Sequence, residues 1–543
     1  MSSFIFITIL LSIVIYINSF SAKSGISIPR DLIRRIKNRQ QNKDPKSSLS
    51  HLKKKYKKPT TDYQELFTNM KIDHFSPDNS ETFKMRILVN SKYYKEGGPI
   101  LFYCGNEGPI TDFWDASGYL HTDLAKKFNG LVIFAEHRFF GKSFPHNYPQ
   151  DHDIKKNKFL TVEQTLSDFI VFLQVFISDQ KLPKLTPVIA FGGSYGGMLA
   201  AWGRMKFPHV FAGAVASSAP ILLFENIDII SNSFFKITTD TYRRYDEKCP
   251  NYVRQGFNEL FNIRNNTLLL HNEDIIKELN KIFKPCHDIK NAADVKFLEN
   301  TLENAIIFLA QYNYPYDFDF SGIKIPANPA KVACESMNKT FSKPRPFSHL
   351  FSQMADFTLG KYNLMEKSVK ENLQRLKAAS YVFFNNTGSL ACLDIGNEPS
   401  ESKPDGWEFL ACTEMIMPMQ SNGVTDMFNP EPWDLQAFTK QCNSVWNAEV
   451  RPKWAFDFFG GRNYIKETRD YSNVFYINGK MDPWNAGCPQ KSTNPKVSVY
   501  LSDSAHHLDL RSPNPNDPES IKEARKIMGE LVKTWILEYI SQK

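Results

Sequence analysis

The sequence predicts an α/β fold, an open and mostly parallel sheet interrupted by a helical insertion. Short apolar runs that end in glycine or polar residues alternate with helical spacing from Pro99 onward. A serine bracketed by glycines stands between one such run and the helix that follows it. The alternation fades between about Leu222 and about Ser400, then resumes toward the C-terminus. A chain of 543 residues can hold two domain-sized units or one enlarged domain.

The early runs "PILFYCGNEG" and "LVIFAEHRFFG" read as buried parallel strands. "LTVEQTLSDFIVFLQVFISDQ" reads as a helix, with Thr161 and Gln164 spaced as a capping box and Leu166, Phe169, Ile170, Leu173, Phe176 and Ile177 at helical spacing. "PVIAF" is the next strand, "MLAAWGRMKF" a helix ended by Pro208, and "AGAVASSAPI" a further strand. This β-α-β-turn-α-β order is that of an open parallel sheet. "NEDIIKELNKIFK", "VKFLENTLENAIIFLAQY" and "SVKENLQRLKAASYVFF" then carry helical spacing. They define a helical cap over residues 222–400, inserted between the two parts of the sheet domain, 59–221 and 401–543. "SNVFYING" and "KVSVYLSDS" are the late strands. The final helix is capped by Asp517, has Pro518 at its first position and carries Ile527, Leu531, Trp535 and Ile540.

The N-terminus has a different character. Phe4 to Tyr16 is an uncharged apolar run followed by Ser19-Phe20-Ser21, which reads as a secretory signal over residues 1–21, with a signal anchor as the alternative. No later apolar run approaches the ~18 residues that a membrane span requires. Between Ala22 and Lys58 there are 13 Lys or Arg against 2 acids, so the net charge of +8 is concentrated there and the remainder is mildly acidic. Residues 22–58 read as a propeptide or as a disordered extension. The segment lacks aromatic interleaving and any nucleic-acid motif, so nucleic acid is not an expected partner. Sequons at Asn265, Asn338 and Asn385 agree with the secretory route, toward a lysosome or the exterior. Eight cysteines are too dispersed for a zinc motif and read as disulfides, so no metal or cofactor is expected.

Gly192-Gly193-Ser194-Tyr195-Gly196 fits the G-x-S-x-G pattern of a nucleophile elbow, at the strand-to-helix turn where such an elbow belongs. A side chain at Gly192 or Gly196 would crowd that turn. In an α/β-hydrolase the acid and the histidine follow the serine on later strand ends. "NGKMDPW" and "SDSAHHLDLR" put Asp482, and His506 or His507, at those two places. A serine hydroxyl needs an imidazole base, and a carboxylate orients that imidazole. The Tyr195 amide and one from the loop at Gly105-Asn106 would form the oxyanion hole. Glu107 and Glu136, at the early strand ends, fit either a structural role or a substrate role.

"GGSYGGMLAAW", "GNEG", "AEHRFFGKS", "ACTEMIMPMQSNGVTDMF", "NGKMDPW" and "AHHLDLR" together resemble the family of serine peptidases that contains lysosomal Pro-X carboxypeptidase and dipeptidyl peptidase II. The resemblance runs from about Met70 to near the C-terminus. It implies an α/β-hydrolase fold with an inserted helical cap domain, cleavage after proline and maturation by loss of a propeptide. Carried over by motif, Ser194 is the nucleophile, Asp482 the orienting acid and His506 the base. "CTEMIMP" looks more like the carboxypeptidase than the dipeptidyl peptidase, whose release of N-terminal X-Pro is the alternative. An inactive hydrolase-fold binding protein is the third reading. The resemblance implies a proline pocket at Met198, Met417 and Trp484, with the two methionines as core residues in the alternative; His507 and Arg511 match a positively charged pair beside the catalytic histidine, there either to face a substrate carboxylate or only to support His506. It pairs Cys249 with Cys334, Cys286 with Cys392, and Cys412 with Cys442. The remaining Cys104 and Cys488 are expected to bond to each other across the site mouth. Peptides with a penultimate proline are the expected partners, and a homodimer stands open beside a monomer.

Overall fold

The structure is a computed structural model that describes residues 62–145, 154–224, 233–320, 323–340, 365–396, 406–461, 463 and 467–541. The expected signal peptide at 1–21 and the basic extension at 22–58 lie outside the described residues. The strands are β1 (Gln64–Lys71), β2 (Thr82–Asn90), β3 (Ile100–Cys104), β4 (Leu131–Ala135), β5 (Val188–Gly193), β6 (Phe211–Ser217), β7 (Phe318–Phe320), β8 (Ile323–Ile325), β9 (Val474–Gly479) and β10 (Val497–Ser502). Eight of them form one sheet in the order β1-β2-β4-β3-β5-β6-β9-β10, and β7 pairs with β8 alone. Pairing is parallel from β4 across to β10 and antiparallel at β1, β2 and their junction with β4. This is the α/β-hydrolase fold.

The order explains where a site can form. The chain runs from β3 to β4 on one side, then steps over β3 to place β5 on the other side. Loops leaving the carboxyl ends of β3 and β5 therefore diverge, which opens a crevice at a topological switch point.

Side-chain alternation along the strands separates two cores. Ile100, Phe102 and Cys104 of β3 join the larger one, and Leu101 and Tyr103 join the smaller. Helices α1 (Ile110–Ala116), α2 (Val162–Asp179) and α3 (Tyr195–Lys206) flank the sheet. Phe102 packs edge-on against Phe169 of α2, with ring centroids 5.5 Å apart. Between β6 and β9 the described elements are helical apart from β7 and β8. Those longer than one turn are α4 (Ser233–Arg243), α5 (Cys249–Asn265), α6 (Glu273–Phe283), α7 (Ala292–Gln311), α8 (Pro329–Thr340), α9 (Lys367–Phe384), α10 (Gly406–Thr413), α11 (Leu435–Trp446) and α12 (Trp454–Phe459). Disulfides join Cys249 to Cys334, Cys286 to Cys392, and Cys412 to Cys442. The sheet resumes at Val474 and the chain closes on α13 (Glu519–Ser541).

Four local details differ from the sequence reading. The antiparallel β1 and β2 were not anticipated, because β1 is an edge strand whose Met70 alone is buried. Thr161 caps α2 by accepting from the Gln164 amide at 3.2 Å, but Gln164 does not complete a capping box. Its side-chain amide donates to Asp73 and accepts from the His74 N–H, while Glu414 accepts the Val162 N–H at 2.9 Å. Asp517 likewise accepts from Asn514 N–H and Arg525. On α13 the buried stripe is Ile521, Ala524, Met528, Val532 and Trp535, and Ile540 is exposed.

Candidate active site

Ser194 links β5 to α3 with φ 56° and ψ −128°. A non-glycine residue in that region costs on the order of 1–3 kcal/mol and persists only where its surroundings enforce it. The surroundings are visible. The Ser194 N–H donates to the Ser217 carbonyl at 2.9 Å, and its own carbonyl accepts the Met198 N–H at 3.0 Å. A Cβ on Gly192 would lie 2.0 Å from the Gly196 carbonyl oxygen, and one on Gly196 would lie 2.2 Å from Asn106 Oδ1. Both glycines are therefore required by close backbone approach.

Asp482 and His506 meet at the neighbouring strand ends. His506 Nδ1 lies 2.7 Å from Asp482 Oδ2, and the other carboxylate oxygen accepts the Trp484 N–H at 3.0 Å. Both residues are buried. With both carboxylate oxygens engaged, the imidazole has a fixed direction. The inserted segment holds the backbone of His506 from two sides: its N–H donates to the Gln311 carbonyl at 3.0 Å, and its carbonyl accepts from Tyr314 Oη at 2.9 Å. Sequence reasoning missed Gln311 and Tyr314, because no spacing rule connects α7 with a turn almost two hundred residues later.

The loop after β3 packs onto the elbow. Asn106 Nδ2 donates to the Gly193 carbonyl at 2.6 Å. The expectation for Gly105 is corrected here: its N–H donates to the Ala135 carbonyl at 3.0 Å, so the strand ladder already uses it. The next amide in the loop, that of Asn106, takes its place as the candidate donor. Tyr195 is the first residue of α3, where helix N–H groups lack intrahelical partners and the macrodipole is positive. Its side chain points into a buried network, with the hydroxyl 3.0 Å from His137 Nε2. Burial pushes the His137 imidazole down to about 4, so that ring is neutral.

Glu136 is structural. Its carboxylate accepts the N–H groups of Ile110 and Lys142 and the hydroxyl of Ser143. Glu107 is different: burial pushes its carboxyl up to about 7, and among the described residues Oε2 has no hydrogen-bond partner.

Met198, Met417 and Trp484 are all buried and belong to the larger core. Trp484 packs edge-on against Phe234 of α4, centroids 4.9 Å apart. His507 sits in left-handed conformation at φ 37°, with its ring 4.3 Å from that of His506. The positive charge expected on His507 is also corrected. Burial, His506 and Arg511 together hold its imidazole well below the usual range, leaving it neutral. Arg511 keeps its charge and lies over the rings of Tyr314 and Phe318, 4.9 and 5.7 Å from their centroids.

Cys104 and Cys488 do not bond to each other: both are buried free thiols. Cys104 faces the larger core, whereas Cys488 Sγ lies 3.4 Å from the Trp484 carbonyl. Asn265 and Asn338 are exposed, and Asn385 ends α9 half-buried. Among the described residues no cluster could hold a metal ion, and no helix is long and apolar enough to cross a membrane.

Comparison with known proteins bears on this geometry. A family model described as serine carboxypeptidase S28 matches residues 70–528. The chain is 34% identical over 482 residues to a lysosomal Pro-X carboxypeptidase from Mus musculus, covering 88% of this chain and 90% of that one. Its identity to the protein of the same name from Homo sapiens is 34% over 480 residues, covering 88% and 89%. It is also 32% identical over 497 residues to the prolyl carboxy peptidase like protein 5 of Caenorhabditis elegans, covering 88% and 90%.

Proposed function

The chain belongs to the serine carboxypeptidase S28 family, and from that premise we propose that it releases the C-terminal amino acid from peptides ending in Pro-X through an acyl-enzyme on Ser194. The observation that carries this reading is the His506–Asp482 hydrogen bond of 2.7 Å, in a chain whose elbow serine is held at positive φ. In the proposed reaction His506 takes the hydroxyl proton as Ser194 attacks the prolyl carbonyl. Asp482 stabilises the imidazolium that results. The oxyanion of the tetrahedral intermediate is met by the N–H groups of Tyr195 and Asn106. His506 returns the proton to the departing amine, and water, activated by the same imidazole, releases the acyl group.

The apolar surfaces of Met198, Met417 and Trp484 suit a proline ring, a compact apolar body that soft methionines can enclose. Arg511 is the cation for the substrate's terminal carboxylate, with neutral His507 limited to hydrogen bonding. Names of the relatives support the Pro-X assignment at about a third identity. Three disulfides and the lysosomal relatives support a secretory or lysosomal destination.

An N-blocked peptide ending in Pro-Phe, compared with an unblocked X-Pro fluorogenic amide, tests the assignment. Hydrolysis of the first is expected. Activity confined to the second would replace this reading with dipeptidyl release, and failure of a fluorophosphonate to label Ser194 would replace both with a binding role.

A further inference from the structure

We propose that Asp509 is a positioning residue of this site, whose carboxyl group fastens the turn carrying His506 to the strand end that holds the amide of Ser194. The proposal rests on the reading of Ser194 and His506 as nucleophile and base, but not on the identity of the peptide.

The connection is short. Ser217 Oγ donates to Asp509 Oδ1 at 2.5 Å, and the carbonyl of the same Ser217 accepts the Ser194 N–H at 2.9 Å. A parallel tie runs through the next residue, because the His507 N–H donates to Ser218 Oγ at 2.9 Å. Ser218 itself is held at φ 47°, with its N–H on the Ile477 carbonyl at 2.7 Å. The end of β6 is thus the common anchor for the nucleophile's backbone and the histidine's turn.

A tie alone would not need a carboxyl group. Asp509 is 2% exposed, and among the described residues its Oδ2 has no hydrogen-bond partner. Leaving such an atom buried and unpaired is unfavourable. An asparagine would keep the hydroxyl's acceptor without burying a charge. What the carboxylate adds is negative charge close to the base. The groups facing it are Ser217 from β6, His506 on its own turn, Arg525 from α13 and Tyr119 from the segment before β4. Arg525 donates from Nε to the Asp509 backbone carbonyl at 2.9 Å and from Nη1 to Asp517 at 2.6 Å, so its charge is shared with a second carboxylate. Burial pushes the Asp509 carboxyl up to about 6, so it ionises between acidic and neutral pH. Once ionised, it favours the imidazolium that forms as Ser194 attacks.

The test is the rate of fluorophosphonate labelling of Ser194 in the full chain, followed from about pH 4 to about pH 8, where an imidazole base sets the acid limb. Asp509→Asn removes the charge and keeps an acceptor. The plateau rate should fall roughly threefold to tenfold, and the acid limb should move to lower pH by about half a unit to one unit. Ser217→Ala removes the donor that favours ionised Asp509, so its acid limb should move the same way. The double variant should add little to Asp509→Asn, as expected for residues acting through one link. An unshifted acid limb in Asp509→Asn overturns the proposal, as do fully additive effects. If Asp509→Asn does not fold, an unshifted Ser217→Ala profile overturns it by itself. The probe contains no proline, so failure here is distinct from failure of the peptide assay.

Discussion

A methyl group on Gly196 would sit 2.2 Å from Asn106 Oδ1 and 2.6 Å from the Cys104 carbonyl, so Gly196→Ala must push the elbow and the β3 loop apart. Fluorophosphonate labelling should fall by at least about tenfold, because a displaced oxyanion donor no longer meets the developing charge, and the melting temperature should fall with it. Ser194→Ala separates chemistry from fold: peptide hydrolysis should drop by at least about 10³-fold, while the melting temperature stays near that of the parent. If Ser194→Ala retains hydrolysis, another residue is the nucleophile. Met198→Ala reports on the pocket instead. It should change the preference for proline over alanine more than it changes labelling, and an unchanged preference would make Met198 merely a core residue. At this scale Ser194 was legible, because an elbow is written in five consecutive residues. Gly105 was misread, because whether its N–H is free depends on Ala135 in another strand.

The elements meet through side chains that periodicity does not reveal. Helix α2 begins on Glu414, whose buried carboxyl accepts the Val162 N–H and also bonds Arg451. Glu414→Ala should cost about 1–3 kcal/mol, the penalty for an orphaned buried donor, whereas Glu414→Gln keeps an acceptor and should cost less. Chemical denaturation of the two variants checks this, and equal losses would assign the role to Thr161 alone. On the opposite face, Trp535 of α13 crosses β6 where a Cβ on Gly213 would lie 2.2 Å from its ring. Gly213→Ala should therefore destabilise by about 1–3 kcal/mol through overpacking, measured the same way. Neither pairing was visible in the sequence. Thr161-x-x-Gln164 has the spacing of a complete capping box, yet the Gln164 side chain serves Asp73 and His74.

Across the whole molecule, buried ionisable groups set a pH dependence. Burial raises Glu107 to about 7, Glu414 to about 8 and Asp509 to about 6. A carboxyl group with a raised pKa binds its proton more tightly when folded. Its contribution is full below the unfolded value and is lost as pH rises through the folded value. His137, lowered to about 4, acts in the opposite sense: its contribution is full above the ordinary imidazole range and is lost as pH falls toward 4. His507 and His121 are lowered as well, but burial also raises Asp112, Glu136, Glu259, Glu303 and Glu431, so the raised carboxyl groups outnumber the lowered imidazoles and give a fold that is more stable near pH 5 than near pH 8. Thermal unfolding at the two pH values checks the sign, and a midpoint at pH 8 equal to or above that at pH 5 would contradict it.

By itself, the sequence determined the parallel strands from β3 onward, the position of the elbow and the strand ends bearing Asp482 and the histidine pair. These are local matters: apolar periodicity, a glycine-bracketed turn and the polar residues just after a strand lie within a few positions of one another. Spacing left His506 and His507 open and the family resemblance chose His506; only the tertiary structure supplied its 2.7 Å bond to Asp482, Asn106 rather than Gly105 as the candidate amide, and the clamp of Gln311 and Tyr314 on the histidine from the insertion. Each depends on hydrogen bonds between segments far apart in the chain, where partner choice follows from packing geometry and leaves no periodic trace in the residues themselves.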